Sequence, residues 1–93
     1  MTASAPVPFD PDWTVHPGRI LQQEIDARGW TQKQFAEIID RPVQAVNEIC
    51  TGKKRITAQT ALVLGAALGV DAMFWLTAQA RYDLDVALGK RAQ

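Results

Sequence analysis

The sequence predicts an all-α domain of five short helices over residues 16–93, preceded by a flexible arm over residues 1–15. Three observations carry that prediction. Apolar residues recur at helical spacing in separate runs, capping residues or glycines bound those runs, and 93 residues with 47% apolar content support one compact core but no second domain.

The arm holds Pro6, Pro8 and Pro11 among small and acidic residues, without a sustained helical or strand period. Phe9 and Trp13 are its aromatic members, and packing back onto the domain is favoured over binding a partner. His16-Pro17-Gly18 then opens the first helix, with Leu21 and Ile25 one turn apart and Gly29 at its end. His16 is the sole histidine and reads as a cap or a local contact rather than a metal ligand.

Thr31 is a good N-cap for the second helix, and Gln34 three residues on completes a capping box. Trp30 before the cap and Phe35 at the fourth helical position fit a hydrophobic staple. Phe35, Ala36 and Ile39 form the buried stripe of a helix spanning Thr31 to Ile39, too short to be stable alone. Asp40 and Arg41 interrupt the pattern. Pro42 suits the first position of a third helix, because its missing N–H would be unpaired there. Val43, Val46, Ile49 and Cys50 are placed inward, Gln44, Asn47 and Glu48 elsewhere, and Gly52 ends the helix. Cys50, the only cysteine, reads as a small buried hydrophobe, with no intrachain disulfide possible.

Thr57 can cap a fourth helix whose Ala61, Leu62, Leu64, Ala66 and Leu68 carry no charge among them; it reads as a central helix buried on most sides. Gly69 ends it, and Asp71 can cap a fifth helix through AMFWLTAQARYDLDVAL. That helix has two apolar rows, one of Phe74, Ala78 and Tyr82, the other of Leu76, Ala80, Leu84 and Leu88. Two rows exceed what a small core needs. Trp75 and Leu76 are assigned to the core, and the outward residues Ala80, Leu84 and Leu88 to the interface of a two-fold homodimer.

Two short helices joined by a tight turn can place the second in a groove of duplex DNA. Glutamine and asparagine present a donor and an acceptor together to an adenine edge, which makes Gln44 and Asn47 the candidate base readers. Gln32 and Lys33 at the start of the first helix of the pair, and Lys53, Lys54 and Arg55 after the second, are candidate phosphate contacts. Ten basic and ten acidic residues cancel over the whole chain, yet their distribution is polarised. From Arg28 to Arg55 six cations stand against Glu37, Asp40 and Glu48, a net of +3; residues 1–27 carry −3.

One histidine and one cysteine cannot build the usual zinc site, and no Gly-rich loop is present to cradle a phosphate. Asp83 and Asp85 lie on different faces of the last helix without a neighbouring nucleophile and read as solvated charges. The expectation is a chain without enzymatic activity or cofactor. No apolar run of about 18 residues exists to span a membrane, and the N-terminus lacks a signal core, so a cytoplasmic location is expected.

These residues carry a family resemblance. The segment around the two-helix unit resembles the Cro/repressor-type helix-turn-helix, and RPVQAVNEICTGKKRIT at 41–57, HPGRIL at 16–21 and FWL at 74–76 resemble the HigA-type antitoxins of bacterial toxin–antitoxin modules. The resemblance runs from about His16 to Asp83. It implies a DNA-binding autorepressor that also neutralises a small ribonuclease toxin of HigB type. It also implies that Gln32 faces phosphate, that Ala36 is the small residue at the helix crossing, and that Val43, Gln44 and Asn47 form the exposed face of the recognition helix. Two positions depart from the pattern. Asp40 stands where the turn usually has glycine, and Glu48 adds a negative charge near the expected DNA face. Three readings stay open on the residues alone: an antitoxin repressing its own promoter, a stand-alone repressor, and a protein-binding adaptor. The resemblance selects the first.

Overall fold

The computed structural model describes residues 13–92, with nothing described for the side chain of Ala92. The elements in order are β1 (Trp13–Thr14), α1 (Pro17–Ala27), α2 (Gln32–Ile38), α3 (Val43–Cys50), α4 (Ala58–Leu68), α5 (Ala72–Ala87) and β2 (Arg91–Ala92). The five expected helices are present. Of the expected arm, residues 1–12, including Phe9, lie outside the described residues.

Local chemistry accounts for the helix ends. At α2 the Thr31 hydroxyl accepts from the Gln34 amide at 3.0 Å, and the Gln34 side-chain carbonyl accepts from the Thr31 amide at 2.8 Å. Such a box stabilises a helix start by about 1 kcal/mol. Trp30 stacks on Phe35 with ring centroids 5.8 Å apart, closing the staple. Thr57 caps α4 and Asp71 caps α5 through their side-chain oxygens. Pro42 is the N-cap of α3 rather than its first residue, with extended ψ of 145°, because the chain leaving the turn has to straighten before it can coil again. His16 likewise stands at the N-cap of α1 without a side-chain capping bond. Its ring meets Tyr82 edge-on at 5.9 Å, and burial followed by the nearby Arg19 charge lowers its pKa below the ordinary 6.5.

The turn between α2 and α3 depends on Asp40, which adopts φ 56°, the only positive value at a non-glycine among the described residues. The amide of Asp40 donates to the Glu37 carbonyl at 3.2 Å and that of Arg41 to the Ala36 carbonyl at 2.9 Å. This pair of bonds is the Schellman closure usually made with glycine. Aspartate tolerates the left-handed conformation better than most residues, so the departure is accommodated without altering the turn.

The core draws on every helix: Leu21 and Ile25 of α1, Phe35 and Ala36 of α2, Val46, Ile49 and Cys50 of α3, Ala61, Leu64 and Leu68 of α4, and Trp75 of α5, joined by Ile56. Truncating a fully buried member such as Phe35 or Trp75 costs about 3–5 kcal/mol. Burial, and secondarily the charge of Asp26, pushes the Cys50 thiol up to about 11, so it stays a protonated core group. Three further expectations are corrected. Val43, in the first turn of α3, is exposed, as the resemblance implied and against its inward placement by helical period. Leu62 and Ala66 of α4 are exposed, so that helix buries one stripe instead of most of its surface. A uniformly apolar helix has no polar face to show which side is covered.

The third correction concerns the chain ends. Trp13–Thr14 is not part of a loose arm but pairs in parallel with Arg91–Ala92. The Thr14 hydroxyl donates to Asp85 Oδ2 at 2.9 Å, and Lys90 Nζ lies 3.3 Å from Asp85 Oδ1. Asp85 is therefore a buried, partnered carboxylate rather than a solvated charge, its pKa held below the usual 3.8 by the Thr14 hydroxyl first and by Lys90 next. Trp13 remains 39% exposed, so its ring is only partly packed against the domain.

Candidate nucleic-acid interface

The sequence makes α3 amphipathic, and the core takes Val46, Ile49 and Cys50 from it. What remains outward near its N-terminus is Val43, Gln44 and Asn47, all exposed. α2 crosses beside it. There Gln32 is half-buried and Lys33 exposed.

A polar chain ties this face to the helix behind it. Asn47 Nδ2 donates to Gln32 Oε1 at 3.1 Å, Gln32 Nε2 donates to Gln22 Oε1 at 2.6 Å, and Gln22 Nε2 donates to Asp26 Oδ1 at 2.8 Å. The chain orients both amides. Asn47 keeps its carbonyl oxygen and its second N–H for another partner, and Gln32 keeps a second N–H. Gln44 adds an exposed amide one turn earlier. The spacing of Gln22 and Asp26, four apart on one face of α1, was a signal in the sequence, but only the hydrogen bond from Gln32 of α2 gives it a role.

The basic loop is held at both ends. The amides of Lys53 and Lys54 both donate to the Glu48 carbonyl, at 2.9 and 3.1 Å, and the Ile56 amide donates to Gln79 Oε1 at 2.8 Å. Lys53 and Lys54 have exposed side chains. Arg55 is different, for its Nη2 lies 2.7 Å from Asp83 Oδ2. That contact with Arg55, the strongest influence on Asp83, holds its carboxyl below the ordinary 3.8. Arg28 is also engaged. It pairs with Glu24 at 2.7 Å and donates from Nη2 to the Leu68 carbonyl at 3.0 Å, tying α1 to the end of α4. Of the six cations expected to form a basic field, Arg28 and Arg55 therefore have acidic partners, Arg41 is half-buried, and Lys33 of α2 and Lys53 and Lys54 of the loop are exposed.

The outward row of α5 runs through Ala80, Leu84 and Leu88, all exposed, while Leu76 one turn earlier packs on the core and Trp75 is wholly buried. Among the described residues no group of histidine, cysteine and carboxylate side chains could hold a metal ion, and no helix is long and apolar enough to cross a membrane.

Comparison with known proteins matches this geometry. The helix-turn-helix family profile covers residues 21–75. Virulence-associated protein I of Dichelobacter nodosus is 38% identical over 74 residues, which are 78% of this chain and 68% of that protein. A solved structure of an addiction module antidote protein of a HigA family, from Coxiella burnetii, superposes with a TM-score of 0.75 at 37% identity, covering 80% of this chain and 82% of the other. The Pseudomonas aeruginosa antitoxin HigA, solved with the higBA promoter, gives a TM-score of 0.75 at 29% identity over 80% of this chain and 82% of its own. The family consists of DNA-binding regulators and not of enzymes. A capped pair of helices, an outward polar face on the second of them and the match across residues 21–75 agree: this chain belongs to the Cro/repressor-type helix-turn-helix family, in its HigA-type group.

Proposed function

We propose that the chain is the antitoxin of a toxin–antitoxin module and the repressor of its own promoter, acting in the cytoplasm as a two-fold homodimer and neutralising a HigB-type ribonuclease toxin. The observation that carries the DNA half of this reading is the outward face of α3, where Gln44 and Asn47 present amides and the Asn47 amide is oriented by Gln32. Those two side chains read base edges in the major groove, with Val43 beside them for apolar contact. Gln32, Lys33, Lys53 and Lys54 set the register on the phosphates. The Pseudomonas aeruginosa antitoxin solved with the higBA promoter supports the same use of the fold.

A weakly charged reading head needs two half-sites. In the proposed dimer the row Ala80, Leu84 and Leu88 of one protomer meets its equivalent in the other, and the half-sites lie about 34–36 Å apart or a multiple of that. The test is a footprint on the chain's own promoter. Changing Gln44 and Asn47 together to Ala should weaken specific binding by about 1–3 kcal/mol for each bidentate amide–base pairing that is removed. An unchanged footprint in the double variant would show that this face does not read the operator. Failure of the chain to co-purify with the product of the neighbouring reading frame would remove the toxin half.

A further inference from the structure

Arg55 sits in the loop that follows the recognition helix, yet its guanidinium faces back to α5. There Asp83 Oδ2 holds Nη2 at 2.7 Å, and Asp83 Oδ1 in turn accepts from Gln79 Nε2 at 3.0 Å. Gln79 is buried to within 6% and its side-chain oxygen accepts from the Ile56 amide. The carboxylate is thus oriented from behind by a side chain that cannot move without uncapping the loop backbone. The Arg55–Asp83 pair itself is exposed on both sides, with side chains 61% and 40% accessible. A pair so placed contributes little to stability, about 0–1 kcal/mol. Asp83 Oδ1 satisfies the buried Gln79 amide, which leaves Oδ2 fixed in place to hold Arg55.

We propose that Asp83 is a charge-setting residue for DNA binding: it withholds Arg55 from the phosphate backbone, so that the loop presents Lys53 and Lys54 but not a third cation. Asp83 acts through Arg55 and is a positioning residue, not a contact. The consequence is a weaker non-specific grip on DNA, which leaves discrimination to the amides on α3. The proposal rests on the DNA-binding reading above.

The experiment measures affinity for the promoter fragment and for an unrelated duplex across a salt series, with the full chain, Asp83→Asn, Arg55→Ala and the double variant. Each additional phosphate contact steepens the salt dependence by about 0.9, so Asp83→Asn should lose about 3.5-fold more affinity than the wild type between about 50 and about 200 mM salt, and equally on both duplexes. Arg55→Ala in the wild-type background should leave the slope unchanged, and in the Asp83→Asn background it should abolish the increment. Asparagine still accepts from Gln79, and far-UV circular dichroism checks that each variant keeps its helices. A merely structural role for Asp83 would move thermal stability without steepening the slope. A slope unchanged in Asp83→Asn, or weaker binding in that variant, overturns the proposal while the wild-type footprint stands. A wild-type chain that binds neither duplex overturns the DNA-binding reading itself, and the proposal with it.

Discussion

Replacing Gly18 by alanine tests whether α3 is positioned by direct backbone contact with α1. Gly18 is buried in the first turn of α1, and a Cβ built there would lie 1.8 Å from the Ile49 carbonyl oxygen and 2.8 Å from its carbon. Real Cβ contacts stop at 3.0 Å, so the two helices would have to part by 1.2 Å at this crossing. Both colliding partners belong to the backbone of α3, and no rotamer change relieves them. Overpacking of this kind costs about 1–3 kcal/mol, and a rigid backbone neighbour puts the cost near about 3. Alanine recovers up to about 1 kcal/mol of helix propensity over glycine, leaving a net loss of about 2 kcal/mol. For a domain of this size the corresponding fall in Tm is about 8–16 °C. Thermal unfolding followed by far-UV circular dichroism measures it. Because Ile49 lies on the helix that carries Gln44 and Asn47, operator affinity should fall as well. A Tm equal to or above the wild-type value would refute the close approach, and with it the account of how α1 sets the pose of the reading helix.

Two further outcomes are expected. Asp85 has its pKa depressed below 3.8, so its pairing stabilises the fold fully above that value and the contribution is lost as pH falls through the folded-state pKa. Thr14→Val removes the hydroxyl donor, and the decline of Tm over about pH 5 to 2 should become shallower than in the wild type; parallel profiles would contradict the clasp at the chain ends. At α5, Leu84 and Leu88 are 53% and 67% exposed, and Leu84→Glu with Leu88→Glu should give a folded monomer with poor operator affinity. Sedimentation showing the wild-type chain to be monomeric at tens of micromolar, about the range in which a stable interface persists, would count against that row as the interface.

The features legible in the sequence are those whose partners lie within about one helical turn. The Thr31–Gln34 box, the Trp30–Phe35 staple and the caps at Thr57 and Asp71 all follow from residues two to five positions apart, and the structure has each of them; the turn position of Asp40 comes instead from the family resemblance. The inward stripe Val46, Ile49 and Cys50 and the outward Gln44 and Asn47 follow from helical period alone. The same period placed Val43 inward, because at the first turn of a helix the neighbour, not the period, decides burial.

Tertiary structure alone decided the polar pairs. Thr14 and Asp85 are 71 positions apart, Arg55 and Asp83 are 28, Ile56 and Gln79 are 23, and Gln32 and Asn47 are 15. A lone aspartate or glutamine on a helix reads as a solvated side chain, since burial of a polar group is tolerable only when a partner satisfies it. Here each partner arrives from another element, and its arrival depends on how five helices pack. Apolar periodicity fixes which face of a helix turns inward, but it carries no information about which polar groups that packing brings within 3 Å of one another, about the length of a hydrogen bond.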